Sequence, residues 1–171
     1  LHLDVAGAPG EAVLATLDPA RYLGGMDHIA RPAFIAIVAS ASLAATLARR
    51  STGRVDGFVV ERFTAGGHNA PPRGGIQLDE NNEPIYGPRD HPDLEAMRNI
   101  GLPFWLAGSF GKPGKLEEAL ALGAQGIQVG TAFAYCDESG MVRDLKSSVI
   151  EMSQLKQIHV STDPKASPTG F

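Results

Sequence analysis

The sequence has a single cysteine, Cys136, among its 171 residues. One cysteine cannot form an internal disulfide, which excludes a disulfide-stabilised secreted scaffold and favours a reducing compartment. The sequence also lacks an apolar run approaching the roughly 20 residues of a membrane-spanning helix. No basic-then-apolar leader opens it. We therefore expect a cytoplasmic protein with no membrane segment.

A strong charge of either sign is missing as well, since the net charge is −4 and the pI is near 5.7. Nucleic acids and anionic membranes require a basic surface, so neither partner is expected. The histidines and the cysteine show no HxxxH or CxxC spacing, which argues against a metal site. The GxGxxG fingerprint is absent too, and this counts against a dinucleotide-binding fold of the Rossmann type.

From about residue 33 onward, strand-like and helix-like segments alternate along the chain. The strand-like segments are continuous apolar runs with β-branched residues, which are typical of strands buried on both faces. The predicted strands are 32–40, 55–63, 102–111, 125–133 and 157–162, and the predicted helices are 42–50, 112–124 and 140–155. This alternation predicts an α/β fold with right-handed βαβ units and a parallel sheet.

One connection between strands is much longer than the others, and it contains "GGIQLDENNEPIYGPRD", residues 74–90. Its turn-rich centre between two apolar triplets predicts a β-hairpin insertion, with Asp79, Glu80 and Glu83 solvated at the tip. Long loops inside compact domains tend to carry function. Arg73, just before the insertion, either meets an anionic substrate or lies in solvent.

The pattern alone leaves two architectures open. Four buried strands fit half of a closed (β/α)8 barrel or most of an open, doubly wound sheet. A complete barrel needs on the order of 250 residues, so this chain would be a part of one. The sequence begins at Leu1 without a methionine and ends in what reads as a loop leading onward. We expect it to belong to a longer protein, and we interpret its ambiguous first thirty residues as irregular structure with a short helix.

Glycine-containing turns follow three successive predicted strands, at residues 65–68, 107–111 and 128–131. The carboxyl ends of parallel strands are where α/β proteins build their active sites. Glycine lets a ligand approach the backbone, and a helix N-terminus behind the turn favours a phosphate. With hydroxyls at Ser109 and Thr131, the second and third turns predict a single phosphate-binding site, although glycines at strand ends also serve as simple turn residues.

His68 directly follows the double glycine of the first turn. A neutral imidazole near physiological pH can take a proton from a bound substrate. The alternative is a loop histidine that is hydrogen-bonded to a carbonyl group. Cys136 has no basic neighbour in the sequence, so we expect it to be inert packing rather than a nucleophile.

With these residues in view, the sequence resembles the nitronate monooxygenase family, once called 2-nitropropane dioxygenases, which includes related FMN-dependent enoyl reductases. The matching stretches are "VDGFVVERFTAGGHNAPPRG", "LPFWLAGSFGKPGKLEEALALGAQGIQVGTAF" and "TDPKASPTGF". They cover about two-fifths of the chain, in the family's order and spacing. The resemblance implies a partial TIM (β/α)8 barrel, roughly its last four βα units, with the hairpin as an insertion. It implies one incomplete FMN-binding domain over residues 1–171, a C-terminal-half fragment of the barrel.

The resemblance also implies a site. The residues implied in FMN binding are Glu61, Gly66, Gly67, Gly108, Ser109, Gln128, Val129, Gly130 and Thr131. His68 matches the family's catalytic base. Three departures bear on the substrate: the segment after His68 is Asn-Ala-Pro-Pro-Arg, Glu61 stands where a glutamine often contacts the flavin, and Ser109 replaces a common second glycine.

The activity implied is FMN-dependent oxidation of alkyl nitronates by molecular oxygen, with His68 as base. One alternative is an enoyl or quinone reductase that uses NAD(P)H, and another is a phosphate-ligand binding barrel without redox activity. The expected partners are a small-molecule substrate and oxygen, with homo-oligomerisation left open. In isolation the 171 residues leave strand edges unpaired, so we expect the isolated chain to be poorly stable or to associate, and to be catalytically inert.

Overall fold

The computed structural model describes residues 2–3, 13–14, 18, 21–22, 24–25 and 30–163. The chain divides into two compact units, residues 1–32 and 33–171. In the first unit, strand β1 (His2–Leu3) pairs antiparallel with strand β2 (Val13–Leu14). Most of the first thirty residues, for which we expected irregular structure, lie outside the described residues. The assignment of all 171 residues to one barrel domain stays a prediction.

The second unit contains a four-stranded parallel sheet and its helices. The strands are β3 (Ile35–Val38), β4 (Gly57–Glu61), β5 (Phe104–Ala107) and β6 (Gly126–Gln128). The helices are α1 (Ala41–Arg50), α2 (Leu94–Asn99), α3 (Lys115–Ala121), α4 (Thr131–Ala134) and α5 (Arg143–Gln154). The strands lie in chain order, β3-β4-β5-β6, and every neighbouring pair is parallel.

The core lies between one face of this sheet and helices α1, α2 and α3. The buried sheet residues of that face are Ala36, Val38, Phe58, Val60, Phe104 and Leu106. They pack with Ala44 of α1, Met97 of α2 and Ala119 of α3, all fully buried. A doubly wound sheet carries helices on both faces and reverses its strand order, whereas a barrel does neither. The fold is therefore a partial TIM barrel, as the family resemblance implied.

The opposite face of the sheet, which we call the inner face, is occupied by Ile37, Val59, Trp105 and Gly126 in one row across the four strands. An added Cβ at Gly57 or Gly126 would lie 3.1 Å from the Trp105 indole, so the ring uses the space that these two glycines leave. The prediction that β3 is buried on both faces is wrong. Ile35 and Ile37 are 41% and 56% exposed on the inner face. The reason is that β3 is an edge strand, which among the described residues pairs only with β4.

The insertion is less regular than a ladder of two strands. One antiparallel bridge joins Leu78 to Pro84, and the Asp79 carboxylate accepts hydrogen bonds from the amides of Asn81 (2.8 Å) and Glu83 (2.9 Å). A 3-10 turn at Pro88–Asp90 and helix α2 follow before the chain enters β5. The hairpin is therefore a tight turn closed by one bridge, and α2 was not anticipated.

The segment after α5 differs from its predicted form. The helix predicted over 140–155 is present as α5, but residues 157–162 form no strand in the described part of the chain. Instead, Thr162 makes a single parallel bridge with Gly67. We refer to residues 159–163 as the 159–163 segment. None of the helices among the described residues is long and apolar enough to cross a membrane.

Candidate functional site

The loops that follow β4 and β5 contact each other at the carboxyl edge of the sheet. We call residues 62–69 the His68 loop. Gly108 has φ +94°, and a Cβ there would come within 2.9 Å of the Arg62 carbonyl oxygen and 3.0 Å of the Thr64 hydroxyl. Ser109 has φ +61° and donates its hydroxyl proton to the Thr64 carbonyl at 3.0 Å. Glycine at 108 is therefore required by backbone packing, and Ser109 ties its own turn to the His68 loop.

The loop after β6 lies beside the loop after β5. An ideal Cβ on Gly111 would be only 2.8 Å from the Val129 side chain, so glycine at 111 lets the two loops meet. Gly130 then caps α4, whose first residue is Thr131. The first N–H groups of a helix have no partner within it and point outward. An added Cβ at Gly130 would meet nothing within 4 Å, so this backbone faces open space.

The structure thus places the residues predicted to hold a phosphate in the loops after two neighbouring strands, β5 and β6. Ser109, Gly130 and Thr131 are exposed, Val129 is half-buried, and all follow the paired ends Ala107 and Gln128. Because the Ser109 hydroxyl proton goes to Thr64, the donors left for an anion are backbone N–H groups and the Thr131 hydroxyl. This neutral donor set suits a phosphate carried on a larger ligand.

Glu61 lies in the same row of the sheet as Ala107 and Gln128. Burial raises the pKa of the Glu61 carboxyl above its ordinary value of 4.5, and the charge of His68 partly opposes that shift. The two side chains therefore interact electrostatically. The structure thus brings Glu61 near the candidate base His68.

Gly66 and Gly67 have different surroundings. A Cβ on Gly66 would overlap the Val160 side chain, at 2.2 Å, so Val160 fills the space that this glycine leaves. Gly67 has φ +83° and open space where its side chain would be. Its amide donates to the Ser161 carbonyl at 2.8 Å, and its carbonyl accepts from the Asp163 amide at 3.0 Å. Gly67 thus faces open space while its backbone is held, whereas Gly66 packs on the 159–163 segment.

Asn69 was not singled out in the sequence, yet it is the most heavily bonded side chain of the His68 loop. It is 3% exposed, and its Nδ2 donates to the carbonyls of Phe63 (3.2 Å) and Ala65 (2.6 Å) and to the Thr162 hydroxyl (2.7 Å). Nδ2 has two hydrogens for these three acceptors, so one hydrogen is shared between two of them, and the three oxygens together orient the amide. Its Oδ1 is buried without a hydrogen-bond partner among the described residues. An asparagine in a turn-rich stretch gave no signal of this role.

A cavity of about 170 Å³ opens beside Glu61, at the ends of β3 and β4. Its lining combines residues after these strands with the segment that leads into the insertion: Ala39, Ser40, Leu43, Glu61, Arg62, Phe63, Asn69, Ala70, Pro71, Arg73, Tyr86 and Asp90. Tyr86 stacks on Phe63 with ring centroids 4.9 Å apart and donates to the Ala70 carbonyl at 3.0 Å. The insertion thereby forms one wall of the cavity.

Charged groups of both signs line this cavity. Burial alone would raise the pKa of Asp90, but hydrogen bonds from the amides of Gly87 and Arg73 outweigh it and hold the pKa below 3.8. Burial also raises the pKa of the Tyr86 phenol, and the charges of Asp90 and Glu61 add to that shift. Arg73 also lines a larger groove of about 490 Å³ between α1 and α2. We place the site at the smaller cavity because Glu61 and residues 62, 63 and 69 of the His68 loop line it. His68 itself and the loops after β5 and β6 are not among its lining residues, so the structure does not bring the predicted phosphate-binding residues to this cavity.

Comparisons with known proteins bear on the family and the fold of the chain. A family model described as nitronate monooxygenase matches residues 12–167. Among solved structures, the chain is similar to a FabK mutant from Thermotoga maritima, with 24% sequence identity and a TM-score of 0.50. That similarity covers 70% of this chain and 34% of the FabK chain, so the chain spans about a third of FabK's length. At this identity the likeness bears on the fold alone. No curated protein sequence matches the chain significantly.

Proposed function

The chain belongs to the nitronate monooxygenase family, whose model matches residues 12–167, and on that premise we propose that it is part of an FMN-dependent enzyme that oxidises alkyl nitronates with molecular oxygen. The observation that supports this most directly is the meeting of three loops at one edge of the sheet. The His68 loop contacts the loop after β5 through Gly108 and Ser109, and Gly111 in that loop contacts Val129 in the loop after β6.

The residues present fit a phosphate-bearing flavin. The backbone at Gly130 faces open space, Thr131 offers a hydroxyl, and the first turn of α4 offers N–H groups. Gly67 leaves open space on the side of the His68 loop. When bound, FMN would supply the redox chemistry between substrate and oxygen. The protein would hold the phosphate by the backbone N–H groups at Ser109 and Gly130 and by the Thr131 hydroxyl, since the Ser109 hydroxyl proton is donated to Thr64.

In this proposal His68 handles the proton. A neutral imidazole at an exposed loop position can take the acidic α-proton of a nitroalkane, and its charged form can stabilise the nitronate anion. Burial raises the pKa of the Glu61 carboxyl beside it, and the charge of His68 partly opposes that shift. Arg73 in the wall of the cavity would attract such a substrate.

One observation favours a second function. Glu61 places a carboxyl in the cavity where the family often has a neutral glutamine, and an ionised carboxylate there would repel a nitronate. A neutral enoyl or quinone substrate reduced with NAD(P)H would not meet that repulsion. The two functions differ in the electron donor that they require.

The first test is the visible absorption spectrum of the full-length protein purified without added cofactor. We expect a flavin spectrum, followed by oxygen consumption with an alkyl nitronate in the absence of NAD(P)H. His68→Ala should lower kcat with a nitroalkane about 10²–10⁴-fold while flavin content is retained. The control is Glu80→Ala, which truncates an exposed side chain that does not line the cavity.

Three other outcomes would contradict the proposed nitronate oxidation or the role of His68 in it. NAD(P)H oxidation without turnover of nitronate would support the reductase. A colourless protein that also fails to take up FMN would contradict both functions and leave a binding barrel without redox activity. Full nitroalkane turnover by His68→Ala would remove His68 from catalysis.

A further inference from the structure

We propose that Asn69, Glu83 and Thr162 are positioning residues for His68, and that the 159–163 segment is the support on which the His68 loop is held. This inference rests on the proposed function only for the catalytic role of His68. The contacts that carry it are present in the structure, and they join three parts of the sequence that were not expected to meet.

The two residues that flank His68 are both anchored to the 159–163 segment. Before it, the amide and the carbonyl of Gly67 are hydrogen-bonded to Ser161 (2.8 Å) and Asp163 (3.0 Å). After it, the buried Asn69 amide donates to the Thr162 hydroxyl at 2.7 Å. The Thr162 hydroxyl in turn donates to the Ala65 carbonyl, 3.3 Å away. His68 is therefore an exposed side chain whose backbone is fixed on either side.

Glu83 lies in the insertion and is hydrogen-bonded to the 159–163 segment. Its Oε2 accepts from the Thr162 amide at 3.0 Å, and its Oε1 lies 2.5 Å from His159 Nε2. The hydrogen bond from His159, with help from the Thr162 amide, holds the pKa of Glu83 below 4.5, so it is ionised at neutral pH. Its side chain is 21% exposed, which makes the expectation that Glu83 is a solvated turn residue wrong. The insertion thus reaches the His68 loop through Thr162.

Such support is needed because the loop has little rigidity of its own. Two consecutive glycines precede His68, and glycine loses more conformational freedom on ordering than any other residue. A catalytic group must stay within a fraction of an ångström of its productive position, and displacements of about 1 Å can cost 10²-fold in rate. The Asn69–Thr162–Glu83 network provides the restraint that Gly66 and Gly67 lack.

The test compares Thr162→Val with Thr162→Ser in the full-length flavin-loaded enzyme. The valine has nearly the same shape but no hydroxyl, whereas the serine keeps the hydroxyl. We expect Thr162→Val to lower kcat about 10–100-fold with KM changed less than about twofold, and Thr162→Ser to retain kcat. Glu83→Ala is the second variant, since it removes the support from an exposed turn, and Glu80→Ala is its control in the same turn.

Two measurements need no turnover. Hydrogen exchange of the Gly67 amide should become about tenfold faster in Thr162→Val and Glu83→Ala, and the His68 Cε1–H NMR signal should shift or broaden. Equal kcat in Thr162→Val and the parent enzyme would overturn the inference, as would equal losses in Thr162→Val and Thr162→Ser. If Thr162→Val does not fold, Glu83→Ala is compared with its control Glu80→Ala instead. Equal kcat in Glu83→Ala and the parent enzyme, or equal losses in the two variants, would then overturn the inference.

Failure of the proposed function has a separate signature. An enzyme without nitronate turnover, or one in which His68→Ala is fully active, contradicts the role of His68 in that reaction. In that case the His68 NMR signal and the Gly67 exchange rate still test whether the network positions the His68 loop. A change in Thr162→Val that is absent in Thr162→Ser supports the network, and unchanged values in both variants overturn it.

Discussion

Glu61 is a carboxyl group placed by β4 at the wall of a cavity, and its burial has a consequence for stability. Because its pKa is raised in the folded protein, the folded state binds more protons than the unfolded state between pH 4.5 and the raised value. Stability falls as the pH rises through that window. Above it, the burial of the ionised carboxylate destabilises the protein, by an amount that the nearby charge of His68 reduces.

We therefore expect Glu61→Gln to be more stable than the parent at pH 7, and this advantage to shrink as the pH falls from the raised pKa toward 4.5. Urea unfolding between pH 4 and 8 measures the difference directly. Glu80→Gln removes an exposed carboxylate and should show no comparable pH dependence. A stability advantage of Glu61→Gln that grows toward low pH would mean that folding lowers the pKa of Glu61 instead of raising it.

At the scale of single residues, the sequence indicated some features of the site and not others. Local patterns such as Gly-Gly-His report where a loop begins, so His68 and the glycine turns could be recognised. The surroundings of Gly66 could not, because they depend on Val160, 94 residues away. The roles of Asn69 and Glu83 depend on the same distant segment, and no local pattern encodes such contacts.

Helix α2 is the clearest case at the scale of elements. Its first turn is capped by Asp93, whose carboxylate accepts from the Ala96 amide at 2.9 Å, and Met97 places a fully buried side chain in the core. We expect Asp93→Ala to lower the free energy of unfolding by about 1 kcal/mol, because that amide loses its partner. Asp93→Asn should retain most of the stability, since asparagine caps equally well. Chemical denaturation of both variants provides the comparison, and equal losses would show that the cap is not the cause.

The elements predicted from the sequence are those with the strongest periodicity. Strands β4, β5 and β6 and helices α3 and α5 fall within their predicted ranges, although the strands are shorter, and α1 begins one residue before its range. The last three residues of the strand predicted over 125–133 belong to helix α4 instead. Helix α2 has only six residues, which is less than two turns and too short for an apolar stripe to be recognised. Residues 157–162 alternate like a strand but have only one bridged position among the described residues, so they stay irregular.

At the scale of the whole molecule, the four-stranded sheet has an exposed edge strand, β3, with apolar side chains exposed on its inner face. Ile37 of β3 is 56% exposed, and within the described part of the chain β3 pairs only with β4. Exposed strand edges with apolar side chains promote association. Burial of an isoleucine contributes about 1.5–3 kcal/mol, which is tenfold or more in an association constant.

We accordingly expect the isolated 171-residue chain to self-associate, and Ile37→Lys to weaken that association at least about tenfold. Sedimentation velocity over a concentration series measures it. Leu120→Lys on α3 is the control, because it replaces a similarly exposed residue on a helix instead of the sheet edge. Unchanged association in Ile37→Lys would place the contact elsewhere.

The choice between a barrel and an open sheet was beyond the sequence pattern. Apolar runs report that a strand is buried, but not which face carries a helix. That choice depends on α1, α2 and α3 packing on one face of the sheet, and it became clear only from Ala44, Met97 and Ala119 sharing one core. The family resemblance favoured the barrel for a different reason, since it rests on loop motifs that match a family of barrel enzymes and not on which face of a strand is buried.

The contacts between Asn69, Ala65 and Thr162 span 93 to 97 residues of chain. Contacts of such sequence separation close late in folding, after the local βαβ units have formed. The His68 loop is therefore expected to acquire its order last and to lose it first on heating. Thermal inactivation should consequently precede global unfolding, with the core of the sheet still protected when the candidate base has already become mobile.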